Sequence, residues 1–227
     1  MLNGNLGEII LDNAQNPNTA VATIGFVFAS GQPNLKLLER SVNFQPNQEV
    51  TVIPSSSNWR DTINKLGLTR EFEIRDRTTF KPREIDVTKL MKLFGEPPVG
   101  FQIDQLSLNE LKVAAAEINN NLFGSFWEDE QWNRNGVAFG VREKNNYVCA
   151  SSAFAAGENV IEIEIATKAE HRRKGLAACA ASHLIKFCVE NEVQPSWDAA
   201  NAVSERLAKR LGFIKGSSYS AFVFLPQ

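Results

Sequence analysis

One segment constrains the fold more than any other. Val160-Ile161-Glu162-Ile163-Glu164-Ile165-Ala166-Thr167 alternates apolar with charged or small residues, the period-2 pattern of a strand. His171-Arg172-Arg173-Lys174-Gly175 follows as a short basic turn, and Leu176, Ala180, Leu184 and Phe187 then recur at helical spacing. A strand that hands over to a helix through a tight turn is the joint of layered α/β proteins. It is also an anion cradle. The helix start exposes unpaired N–H groups and the positive end of its dipole. Gly175 lets backbone approach closely, and Arg172, Arg173 and Lys174 bring full charges, the arginines with bidentate geometry. A phosphorylated ligand suits such a place. The same residues fit a plain amphipathic helix behind a solvated basic turn, so the joint alone leaves both readings open. Neither GxGxxG nor GxxxxGK[ST] occurs in the chain.

Composition excludes several function classes. The 227 residues give room for one large or two small domains. A net charge of −2 argues against a general nucleic-acid binder, which needs a basic surface to displace counterions. Cys149, Cys179 and Cys188 form no CxxC pair and there are two histidines, so no metal site is expected. The cysteines read as buried, reduced thiols. The first residues lack the basic and apolar regions of a signal peptide, and no apolar run approaches the roughly 20 residues of a membrane span. The expected location is the cytoplasm, with no membrane partner.

Along the chain, strands and helices alternate, giving an α/β (α+β, mixed-sheet) fold class. Val21–Ala29 reads as one buried strand, Leu35–Val42 as a helix and Glu49–Ile53 as a strand. Trp59–Leu66 reads as a helix, Glu71–Arg77 as a strand and Val87–Phe94 as a helix. Gly95-Glu96-Pro97-Pro98 is the expected boundary, because prolines end a helix and force the preceding residues into extended backbone. It divides the chain into an α/β domain over 1–97 and a second domain over 98–227. Beyond it come a strand over Val99–Gln105, a helix opened by the capping box Ser107-Leu108-Asn109-Glu110, and an aromatic stretch holding Phe126, Trp127 and Trp132. A hairpin follows from Val137–Arg142 and Tyr147–Phe154. After the long helix, Pro195–Ala199 reads as a strand, Asn201 caps a helix ending at Gly212, and Ser220–Leu225 is a last strand.

This order, with this turn, resembles the GNAT superfamily of acyl-CoA-dependent N-acetyltransferases over roughly residues 99–227. The family signature Gln/Arg-x-x-Gly-x-Gly/Ala is matched by Arg172-Arg173-Lys174-Gly175-Leu176-Ala177. A downstream asparagine leading a helix into Leu-Gly-Phe is matched by Asn201 and Leu211-Gly212-Phe213. Glu-Ile-Glu-Ile-x-Thr together with His-Arg-Arg-Lys-Gly-Leu-Ala looks similar to zwittermicin-resistance-type members, which also carry an N-terminal α/β extension. The resemblance implies a GNAT fold preceded by a smaller α/β domain. It implies acetyl-CoA as co-substrate, its pyrophosphate held by residues 172–177, and a small-molecule or peptide amine as acceptor, in a monomer or homodimer. It further implies that Ile165, Ala166 and Thr167 orient the thioester and that Asn201 contacts the pantetheine arm, with Ser204 beside it.

Glu162 and Glu164 alternate with isoleucines and so share one sheet face. Carboxylates on a central strand are costly unless a cleft or partner satisfies them. Amine acylation requires a base, and the resemblance places one on this strand, so either glutamate qualifies. A solvent-open or salt-bridged face would show the same pattern. The tyrosine that many GNAT members use as general acid is replaced here by Ala208. Tyr219 and Ser204 are the substitutes, although Tyr219 equally suits a packed aromatic. The missing tyrosine also motivates a second expectation, a non-catalytic acyl-CoA-binding or regulatory module.

Overall fold

In the computed structural model the structure describes residues 6–126, 128–157 and 159–227. The chain forms a mixed α/β fold of two compact units. The first gathers Gly7–Arg77 with Ser218–Gln227, and the second holds Thr78–Ser217. The elements of the first stretch are β1 (Glu8–Leu11), β2 (Thr19–Ile24), β3 (Phe26–Gly31), α1 (Leu35–Val42), β4 (Val50–Pro54), α2 (Arg60–Leu66) and β5 (Phe72–Pro82). Those that follow are α3 (Val87–Phe94), β6 (Phe101–Gln105), α4 (Leu108–Glu117), α5 (Asp129–Asn135), β7 (Ala138–Glu143) and β8 (Asn146–Ala156). The last are β9 (Val160–Thr167), α6 (Leu176–Glu190), β10 (Gln194–Ala199), α7 (Ala202–Arg210) and β11 (Phe213–Phe224).

In the first unit β1, β2 and β3 form an antiparallel meander, β3 pairs in parallel with β4, and β4 pairs antiparallel with the end of β11. Val21, Val27, Val52, Phe222 and Phe224 from this sheet bury against Leu38, Trp59 and Ile63 of the helical side. The expected single strand over Val21–Ala29 is two strands. Gly25, at φ 67, reverses the chain so that Ile24 pairs with Phe26. A continuous apolar run hid a hairpin because apolar residues flank Gly25 on both sides, Val21 and Ile24 before it and Val27 and Ala29 after it being buried.

In the second unit the strand order is β5-β10-β9-β8-β7-β6, antiparallel except for β9 with β10. α6 covers one face, where Leu176 and Ala180 pack on Val141 and Cys149. Ser152, an odd number of residues from Cys149 on β8, points to the opposite face. There its Oγ donates to the Leu122 carbonyl, 2.7 Å away, in the 3-10 turn Asn120–Phe123 that follows α4.

The units part at Arg77/Thr78, not at the expected proline pair Pro97-Pro98. The reason is α3. Its terminal carbonyls lie on α6: Ser182 Oγ donates to Phe94 O at 3.3 Å and His183 Nε2 to Gly95 O at 2.9 Å. Among the described residues no helix is long and apolar enough to cross a membrane.

Candidate active site

The basic turn is built as a cradle. β9 ends at Thr167, a 3-10 turn spans Ala169–His171, and Gly175 stands at the N-cap of α6 with φ 85. Gly175 offers no side-chain cap, whereas Asn34, Asp86, Ser107 and Asn201 cap α1, α3, α4 and α7. The first N–H groups of α6 thus receive no bond from a cap side chain. A Cβ built on Gly175 would meet nothing within 4 Å, so the space ahead of the helix is open. Arg173 also holds a left-handed φ, 64. Such strain in a non-glycine residue gathers at ligand clamps. Arg172, Arg173 and Lys174 are exposed. Arg172 Nε donates to the Thr167 carbonyl at 3.3 Å, and Lys174 Nζ lies over the Phe101 ring. Ala178, Ala180 and Ala181 are buried, so their small size seats α6 close to the sheet; Ala177 is half-buried at the start.

The strand that feeds the cradle leaves its neighbour. The β9–β10 register holds Gln194 with Val160, Pro195 with Ile161 and Ser196 with Glu162. β10 then continues against β5, with Trp197 opposite Phe80 and Ala199 opposite Thr78. β9 continues against β8 to Thr167 opposite Cys149. The β10 side of Ile165, Ala166 and Thr167 therefore lies outside the ladder among the described residues. Glu162 occupies the last paired position and Glu164 lies past it, both half-buried. Glu164 pairs across the sheet with Ser152, which puts both glutamates on the face that carries Leu122. A β-bulge in β8 between Ala153 and Ala155 stands opposite Ile163 and Glu162.

Asn201 Oδ1 accepts from the N–H groups of Val203 and Ser204, each at 3.0 Å, so the asparagine is a helix cap. Ser204 Oγ accepts from Trp197 Nε1 at 2.9 Å. Ala208, at the position where the resemblance implies a tyrosine, is fully buried. Tyr219 is half-buried on the part of β11 that belongs to the first unit, whereas Glu162, Glu164, the cradle and Asn201 all belong to the second.

A family model described as GNAT acetyltransferase matches residues 1–222, and so spans both units. The chain belongs to the GNAT acetyltransferase family. It is 28% identical over 179 residues to the uncharacterized N-acetyltransferase YdfB of Bacillus subtilis (strain 168), an alignment covering 78% of this chain and 66% of that protein. The chain therefore spans just under two thirds of that relative's length. The crystal structure of a GCN5-related N-acetyltransferase-like protein from Streptococcus suis 89/1591 superposes with a TM-score of 0.89 at 29% identity, covering 98% of this chain and 90% of that one. A GCN5-related N-acetyltransferase from Kribbella flavida, at 14% identity and a TM-score of 0.59 over 100% and 93% of the two chains, shares the fold.

Within this GNAT fold the remaining candidates sort clearly. Phe126 and Trp132 are buried and meet edge to face at 5.2 Å, so they are core; Trp127 lies outside the described residues. Burial pushes the Cys149 and Cys188 thiols up to about 12 and Cys179 to about 11, which keeps them protonated near neutrality. Cys179 Sγ instead faces the Gly95 carbonyl at 3.6 Å. Sequence reasoning missed Ser125. Its N–H donates to the bulge carbonyl of Phe154 at 2.6 Å, and its buried hydroxyl has no hydrogen-bond partner. It also missed His171 against Glu143. Both depend on contacts between residues far apart in sequence.

Proposed function

We propose that the protein is an acetyl-CoA-dependent N-acetyltransferase that passes an acetyl group directly to a primary amine of a small molecule or peptide. One observation carries the reading. β9 parts from β10 after Ser196–Glu162 and runs into a basic, glycine-led helix start with no side-chain cap. That arrangement suits a ligand with an amide-bearing arm at one end and an anionic group at the other, as coenzyme A has. The open space ahead of Gly175 fits a pyrophosphate. Arg172, Arg173, Lys174 and the N–H groups of Gly175, Leu176 and Ala177 would hold it. Ile165, Ala166 and Thr167 would pair with the arm. Asn201 would add its amide N–H group, because its oxygen is engaged as a cap, and Ser204 its hydroxyl proton.

Bound acetyl-CoA supplies an acetyl group already activated as a thioester. Glu162 and Glu164 are the proposed bases that take the amine's proton, directly or through water. N–H groups at the end of β9 stabilise negative charge that develops on a carbonyl oxygen. Tyr219 and Ser204 are the hydroxyls proposed to return a proton to the departing sulfur. The protonated, buried cysteines favour direct transfer over an acyl-cysteine route. They also support a reducing, cytoplasmic setting. The run Glu162 to Ala177 supports a place beside zwittermicin-resistance-type members.

Incubation with acetyl-CoA and a panel of amines tests this, read by release of free CoA. Turnover with one or more amines is expected, together with thermal stabilisation by CoA in excess. The buried Ala208 favours a second reading, a non-catalytic acyl-CoA-binding module. Stabilisation by CoA with no CoA release across the panel selects that reading, and no stabilisation rejects both.

A further inference from the structure

The 3-10 turn Asn120–Phe123 lies against both β8 and β9, on the sheet face that carries Glu164. It is rigid within itself. Asn119 Oδ1 accepts from the Asn121 N–H at 2.8 Å, and the Gly124 N–H donates to the Asn121 carbonyl at 2.8 Å. It is also fastened to β8 at two places. Ser152, wholly buried, donates through Oγ to the Leu122 carbonyl at 2.7 Å. Farther along the strand, the Phe154 carbonyl at the bulge accepts from the Ser125 N–H at 2.6 Å. Gly124 makes the second fastening possible. Its φ of 59 is left-handed, and a Cβ there would stand 2.1 Å from Phe154 O and 2.5 Å from both Phe154 C and Cα. Those are main-chain atoms, which cannot step aside as the end of a flexible side chain can. The fastenings fall beside the positions that face the two glutamates: Ser152 stands opposite Glu164, and Ala155 opposite Glu162.

We propose that Ser152 and Gly124 are positioning residues that hold this turn as the wall of the acceptor cleft, against which the amine rests within reach of Glu162 and Glu164. This rests on reading those glutamates as the bases of an N-acetyltransferase. A molecule that approaches Glu164 from this face meets the turn, so the turn sets where the amine stops. The chemistry of the joint points to placement rather than to burial. Ala150 and Ala153 of the same strand are fully buried, so an apolar side chain suits this strand as well as serine does. What Ser152 adds is a donor for the Leu122 carbonyl, and a main-chain carbonyl buried without one is costly. With that donor gone, the turn regains a partner by moving off the strand toward water. In Gly124→Ala the clash lies between two backbones, so the turn moves there as well. Neither fastening involves a residue proposed to hold acetyl-CoA, so the effect on the amine is separable from cofactor binding.

The acceptor used in the test is the amine of the panel that releases CoA fastest with the wild type. For that amine and for acetyl-CoA, kcat and KM are measured in the wild type, S152A and G124A, each with a melting curve. Both variants are expected to lower kcat/KM for the amine by about ten- to a hundredfold, the cost of misplacing a reactant by about 1 Å, while the KM for acetyl-CoA stays at the wild-type value. Thermal stabilisation by CoA is likewise expected to persist in both. A turn that only completes the core predicts a lower melting temperature with wild-type amine kinetics. That result in either folded variant overturns the inference and leaves the transferase reading standing. Equal losses for the amine and for acetyl-CoA overturn it in the same way, because general loosening and not the wall is then at fault. If one variant does not fold, the other decides by the same comparison. No CoA release by the wild type with any amine overturns the transferase reading and the inference together.

Discussion

Gly175 combines a left-handed backbone with open space in front of it. A left-handed conformation costs an ordinary residue about 1–2 kcal/mol, and aspartate tolerates it better than most. Gly175→Asp should therefore leave a folded chain while placing a carboxylate among the first N–H groups of α6. CoA should bind at least about 100-fold more weakly, the equivalent of roughly 3 kcal/mol. Calorimetry with a melting curve checks this, and unchanged affinity removes the site assignment. Glu162→Gln and Glu164→Gln keep the shape of each side chain and remove its basicity. Loss of a general base lowers turnover by about 10²–10⁴-fold with little change in the KM for acetyl-CoA. At least one of the two variants should show this loss, and near wild-type rates in both would move the base elsewhere. The cradle residues were legible because they are consecutive in the chain. The bracing of His171 was not, because Glu143 is 28 residues away and only the fold brings the two together.

Helix starts were read with little error because their signals are local. Ser107 and Glu110 form the expected capping box: the Glu110 carboxylate accepts from the Ser107 hydroxyl at 2.7 Å and from the Ser107 N–H at 2.8 Å. Strand lengths were read less well. β5 runs to Pro82 and β11 begins at Phe213, each much longer than its apolar part. The extra residues of β11 are mostly exposed, and those of β5, Thr78–Pro82, hold a single large apolar side chain, the buried Phe80, so no run of hydrophobic alternation marks either. The parting of β9 from β10 was illegible for a similar reason, since the register lies in backbone pairing and not in residue type. The capping box makes a pH prediction. Bonds from the Ser107 hydroxyl, then from its N–H, hold the Glu110 carboxylate below its ordinary value. A group so depressed stabilises the fold fully above its unfolded value and loses that effect as pH falls through the folded one. Glu110→Ala should thus cost up to about 1 kcal/mol at neutral pH. The gap should close below about pH 4, the ordinary carboxylate range. Denaturant unfolding at both pH values measures it, and a gap that persists in acid contradicts the role of the charge.

At the scale of the whole chain, the proline pair suggested that residues 98–227 form a separable transferase domain. The contacts argue otherwise. Such a fragment lacks Thr78–Phe80, the stretch of β5 that pairs with Ala199–Trp197 of β10. It also lacks α3 and Gly95, whose carbonyls receive Cys179, Ser182 and His183 of the cradle helix. The buried Trp197 would lose its cross-strand partner Phe80. The first unit has the converse dependence. Phe222 and Phe224 of β11 complete its core, and the buried Arg70 donates through Nε to the Leu225 carbonyl at 2.7 Å. A fragment starting at residue 98 should therefore bind a hydrophobic dye, show poor amide dispersion and melt without a cooperative transition, whereas the full chain melts cooperatively. A 98–227 fragment with dispersed amide signals and CoA-dependent stabilisation would show that neither β5 nor α3 is needed to hold the cradle. With both removed, α6 keeps its own sequence and loses the groups that fix it, so the fragment tests whether the anion site belongs to the local motif or to the fold around it.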